Sequence, residues 1–116
     1  MPLPARPMPK PTAQVAPYVE CLGPELAVTF LLAYGGGELY LARDPKGRSA
    51  VEELVGVAGV RAMSAHHRIG ERVRPPLAKR WLAAVLRWQG NSVSHIARTL
   101  RVSETSVYKW LSEEAG

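Results

Sequence analysis

The chain has 116 residues, of which 47% are apolar, and carries a formal net charge of +5. That length holds one ordinary domain or two very small ones, and that apolar content excludes wholesale disorder. The charge is uneven: residues 1–70 hold seven Lys/Arg against six Asp/Glu and residues 71–116 eight against four, so the excess that attracts phosphate lies in the C-terminal part. The single cysteine, Cys21, has no internal partner and fits a reducing compartment as a small buried hydrophobe. No apolar run approaches the roughly 20 residues that span a bilayer, and the N-terminus, with Arg6 and Lys10, lacks the apolar core of a signal peptide. A cytoplasmic protein without membrane association is expected.

In chain order, residues 1–17 hold six of the ten prolines, a density that forbids helix and sheet ladder and predicts a disordered or polyproline-like arm. Pro24 suits a first helical position, and Leu26, Ala27, Phe30, Leu31 and Ala33 or Tyr34 follow at helical spacing, ended by Gly35, Gly36 and Gly37. Val28 and Leu32 make this helix apolar nearly all round, which predicts burial between two subunits. Glu38 to Ala42 alternate as a short strand whose one poor partner in the sequence is Glu71 to Arg74, so pairing with the same strand of a second chain is expected. The glycine run before it lacks the Gly-Lys-Ser/Thr ending of a phosphate-binding loop.

Asp44 to Gly47 make a turn, and Ser49 with Glu52 forms a capping box for a helix whose predicted stripe is Val51, Leu54, Val55, Ala58 and Ala62. Gly56 and Gly59 weaken it, with a split near residue 56. His66 and His67 are adjacent and point about 100° apart on a helix, so they read as a polar helix end, not a metal site. After Ile69 to Arg74, the second of Pro75 and Pro76 is expected to open a helix over Leu77–Gln89. Its stripe is Leu77, Trp81, Ala84, Val85 and Trp88, with Lys79, Arg80 and Arg87 outside as candidate phosphate contacts.

Residues 91–112, NSVSHIARTLRVSETSVYKWLS, then carry the strongest pattern. Ser92 caps a helix with Val93, Ile96, Ala97 and Leu100 at i, i+3, i+4 and i+7. Ser103 caps a second with Val107, Trp110 and Leu111 inward. Two amphipathic helices this short must pack on each other and on a third, which the Trp81–Trp88 helix supplies. The outer face of the second helix presents Glu104, Thr105, Tyr108 and Lys109. That mixture of donors, an acceptor and a cation suits base edges and phosphates.

This segment resembles the helix-turn-helix of bacterial regulators and of the serine recombinases. It departs from that pattern in having Arg101 where the turn usually has Gly, at about 1 kcal/mol if its φ is positive. Taken as a whole, residues 20–113 resemble the Mor family of transcription activators of Mu-like bacteriophages and prophages. The matching parts are Gly36-Gly37 running into ELYLA, the Ser49 helix ending at Ile69-Gly70, and the terminal VSETSVYKWL; the family's strand runs into a proline where this chain has Arg43. The resemblance implies an N-terminal dimerisation domain, a C-terminal DNA-binding domain, and activation of phage promoters in a bacterial host through host RNA polymerase.

The expected architecture is thus mainly α: an arm over 1–17, a helix-strand-helix dimerisation domain over 18–70, a linker over 71–75 and a three-helix helix-turn-helix domain over 76–116. Dimerisation is assigned to Leu26, Phe30, Leu31, Leu39, Tyr40, Leu41, Leu54 and Val55. Contact with double-stranded DNA is assigned to Thr105 and Lys109 at base edges and to Ser94, Arg98, Arg101, Ser103, Ser106 and Tyr108 along the backbone. A homodimer would set its recognition helices into successive major grooves of a two-fold element. No catalytic constellation is visible, since Glu52 and Glu53 face different sides of a helix, so neither an enzyme nor a cofactor nor a metal is expected. A repressor or antitoxin-type regulator and a small terminase-like packaging subunit are the competing readings; a serine recombinase needs a catalytic domain longer than the chain has room for.

Overall fold

The computed structural model describes residues 6–115 and resolves them into two compact units. Residues 11–77 form one. The other is discontinuous, joining residues 6–10 to 78–115, so the boundary falls at Leu77–Ala78, not within a linker over 71–75.

The first unit opens with a helix that composition concealed, α1 (Ala16–Leu22), with Pro17 in its first turn where a missing N–H costs nothing. The residues expected as a disordered arm up to Pro17 are therefore partly folded: Val15 is 1% exposed and Pro17 and Tyr18 are buried. Gly23 (φ 81°, ψ 161°) turns the chain into α2 (Pro24–Tyr34), bent by 120° from α1. Among the described residues no single helix is long and apolar enough to cross a membrane.

The strand β1 (Leu39–Tyr40) pairs antiparallel with β2 (Arg72–Val73), Leu39 opposite Val73 and Tyr40 opposite Arg72. The expectation of an intermolecular partner is corrected, because the segment expected to pair poorly satisfies this strand within the chain. Leu41 N–H donates to Glu71 O at 2.7 Å, and ion pairs Arg74–Glu38 (3.0 Å) and Arg43–Glu71 (2.9 Å) flank the ribbon. These pairs are exposed and contribute little by themselves.

The ribbon closes because the chain after β2 lies on the glycine run. Gly36 N–H donates to Pro75 O at 2.7 Å, and a Cβ on Gly35 would stand 2.7 Å from Pro76 O and 2.6 Å from Leu31 O. The glycines are there for backbone-to-backbone approach. Residues 75–77 are thus held against the glycines, and the helix expected from Leu77 starts two residues later; Leu77 is 54% exposed instead of heading its stripe.

α3 (Ala50–Ala65) has the capping box of Ser49 and Glu52 in full. Gly56 (φ 81°, ψ 162°) kinks it. Beyond the kink the buried face moves on by one residue, to Gly59, Val60, Met63 and Ser64, so Ala58 is exposed and Ala62 half-buried. His66 ends the helix and binds Glu20 at 2.9 Å, tying α3 to α1. Phe30, Leu31, Leu41 and Val55 lie in this unit's own core, between 0% and 7% exposed. Their assignment to a dimer face is corrected, because α1 and α3 cover within one chain the apolar surface that a second subunit was expected to cover. Leu26, Leu39 and Leu54 remain half-buried and Tyr40 exposed.

The second unit consists of α4 (Lys79–Trp88), α5 (Val93–Leu100) and α6 (Glu104–Ala115), each packed on the other two. α4 is the central element. Trp81, Leu82, Ala83, Ala84, Val85 and Leu86 are all buried.

Candidate nucleic-acid interface

The interface is assembled by two caps and one turn. Ser92 stands extended (φ −72°, ψ 156°), and its Oγ accepts the His95 N–H at 3.1 Å, satisfying a donor that the first turn of α5 leaves free. Val93, Ile96, Ala97 and Leu100 then point inward, with Ile96 fully buried. The last turn closes through Arg101 in the left-handed region (φ 60°, ψ 47°), so that Arg101 N–H and Val102 N–H both reach the Ala97 carbonyl. Arg101 therefore takes a positive φ at the position where the motif usually has glycine.

Ser103 next caps α6. Its Oγ accepts the Ser106 N–H at 3.1 Å and its hydroxyl donates to Ser106 Oγ at 3.1 Å. Val107 is fully buried, with Trp110 and Leu111 half-buried beside it, which fixes the rotation of α6 about its axis. Thr105, Tyr108 and Lys109 are consequently turned to solvent, Tyr108 at 60% exposure.

Ser94, Arg98 and Arg101 are exposed and, with Ser103 and Glu104, line one shallow concavity at the turn. Among the described residues, Arg98, Arg101 and Lys109 form no ion pair. Ser106 differs from the others. It is half-buried, its N–H donates to Ser103 Oγ and its own Oγ accepts from the Ser103 hydroxyl, so it also holds the start of α6 in place. Ser112, one turn beyond Tyr108 and Lys109, is exposed as well.

Of the other basic residues of this unit, two are engaged elsewhere: Arg80 pairs with Glu113 at 2.8 Å, and Arg87 donates to the Asn91 carbonyl at 3.0 Å. In the first unit, burial pushes the Tyr18 hydroxyl and the Cys21 thiol above their ordinary pKa, with the neighbouring Cys21 and Glu20 adding to the respective shifts. The hydrogen bond from Lys46 holds the Asp44 carboxyl below its ordinary value, and the charges of Lys46 and Arg61 reinforce it.

A comparison with protein families matches residues 74–116 to the model of a homeodomain-like domain. Neither the curated proteins nor the solved structures compared with the chain give a match. The family match covers α4, α5 and α6 and carries nothing specific to Mor activators. The chain is therefore a mainly helical protein, with six helices and a two-stranded ribbon among its described residues, that ends in a homeodomain-like helix-turn-helix domain.

Proposed function

We propose that this chain is a sequence-specific regulator of transcription that reads the DNA major groove with α6 as a homodimer. The observation that carries the reading is the exposed row Thr105, Tyr108 and Lys109 on a helix whose other side is locked by Val107, with Arg98 and Arg101 exposed at the preceding turn. Side chains on an exposed helix face reach base edges, and cations at the turn fix its register on the phosphates. Thr105 and Lys109 read bases; Ser94, Arg98, Arg101, Ser103, Ser106 and Tyr108 hold the backbone.

The homodimer follows from how short this surface is. One helix of this size covers only a few base pairs, and two-fold pairing doubles the site. Half-buried Leu26, Leu39 and Leu54 with exposed Tyr40 and Leu32 are among the apolar side chains left for it. The resemblance to Mor activators supplies the finer reading: a phage or prophage activator, acting at the nucleoid of a bacterial host, that binds a two-fold promoter element and engages host RNA polymerase. In this role the protein binds DNA without catalysing a reaction.

Selection of bound duplexes from a random pool at two salt concentrations tests the proposal. The expected result is an interrupted two-fold repeat, with half-sites about one or two helical turns apart, that stays enriched at the higher salt. Binding that disappears with salt and enriches no sequence would refute it.

A further inference from the structure

Residues 6–10 belong to the same compact unit as the helix-turn-helix, although 67 residues of chain intervene. Two hydrogen bonds hold them. The indole N–H of Trp88 donates to the Arg6 carbonyl at 2.8 Å, and that of Trp81 to the Pro9 carbonyl at 3.2 Å. Arg6, Pro7 and Pro9 face Ala84, Arg87, Trp88 and Leu111 across a groove of about 360 Å³.

The spacing on the two sides matches. Trp81 and Trp88 are seven residues apart, two turns of helix, so they lie on one face of α4 about 10.5 Å apart along its axis. Arg6 and Pro9 are three residues apart, the repeat of an extended proline-type helix, whose turn rises about 9.3 Å. Carbonyls one such turn apart point the same way, and the segment runs antiparallel to α4. The chemistry matches as well. Proline has no N–H, so a proline-rich segment presents chiefly acceptors, and an indole nitrogen is a donor only. Pro7 and Pro9 fix φ in advance, so little further order is lost on docking.

We propose that the Trp81–Trp88 face of α4 is a binding site for a proline-rich extended peptide, and that residues 6–10 are its ligand in cis. The site is separate from the DNA-reading face. α4 packs on α5 and α6, so occupancy of this groove steadies the scaffold from which α6 is presented.

The test uses the full-length chain and the solvent exchange of its indole N–H protons, read by NMR. Trp110 serves as the internal reference, since its indole makes no hydrogen bond to the arm among the described residues. In the doubly substituted chain Pro7→Gly, Pro9→Gly, the Trp81 and Trp88 indoles should exchange at least about tenfold faster than in the unsubstituted chain, with Trp110 unchanged. A synthetic peptide of residues 1–10 should then restore slow exchange saturably, whereas the same peptide with both prolines replaced should not. Equal exchange in the two chains, or no response to the peptide, would overturn the proposal. If the double substitution unfolds the unit, Trp88→Phe decides instead, because it keeps an aromatic side chain and removes the donor. The Met8 amide should become mobile on the nanosecond scale in that variant, and an unchanged Met8 would overturn the proposal.

Discussion

Val102 donates its backbone N–H to the Ala97 carbonyl at 3.0 Å, a contact made possible by the left-handed conformation of Arg101 between them. This closure sets the angle at which α6 leaves α5. It also places two demands on position 101, a backbone that favours glycine and a side chain that favours phosphate. The substitution Arg101→Gly should separate them: stability rises by about 0.5–1 kcal/mol as the left-handed strain is relieved, while DNA affinity falls with the lost cation. Thermal unfolding and duplex titration on one sample check both signs. A loss of stability would show that Arg101 is held by contacts other than the turn.

Arg98 and Lys109 should differ in kind. Arg98→Ala removes a phosphate contact, so it should weaken all duplexes alike and lower the salt slope by about one unit. Lys109→Ala should relax preference at one or two base positions. Titration of the selected duplex and of single-base variants, each at several salt concentrations, separates these outcomes. Equal loss at every base position for Lys109→Ala would remove it from the reading set.

Gly35 and Gly37 are two residues apart and should behave oppositely. A Cβ at Gly35 meets backbone oxygen on two sides, whereas at Gly37 its nearest neighbour is 3.8 Å away. Gly35→Ala should therefore cost about 2 kcal/mol or more, as in other overpacked sites, and Gly37→Ala should be close to neutral. Urea unfolding of both variants gives the comparison.

The thiol of Cys21 is raised in pKa by burial and by the charge of Glu20. A raised pKa leaves less thiolate at any given pH, and thiolate is the reactive form. Alkylation by iodoacetamide at pH 8 should therefore be slower than for cysteine in an unstructured peptide, with the difference vanishing in denaturant. A rate equal to that of the free peptide in the folded protein would contradict this.

The C-terminal domain was legible because its signals are local. A cap such as Ser92 and its partner His95, or a stripe such as Ile96 and Leu100, lies within one or two helical turns of chain. The features that escaped depend on distant partners. Arg72–Val73 is a two-residue strand with a weak pattern of its own, and only its position opposite Leu39 and Tyr40 makes it one. Proline density correctly excludes α-helix and strand at residues 6–10 but says nothing about docking, which uses the carbonyls that prolines retain. For α2, apolar residues on all sides do signal burial. The sequence does not say whether a second subunit or α1 and α3 provide it, and α1 itself was hidden by the prolines around it.

Amide chemical-shift mapping of the full-length chain with a mixed-sequence duplex at low salt tests most directly where DNA is held. The largest changes should fall on Ser94, Arg98, Arg101 and residues 103–109, with the Tyr40 ribbon and the Trp81–Trp88 groove little affected. Changes centred on the ribbon or on that groove, with α6 unmoved, would contradict it.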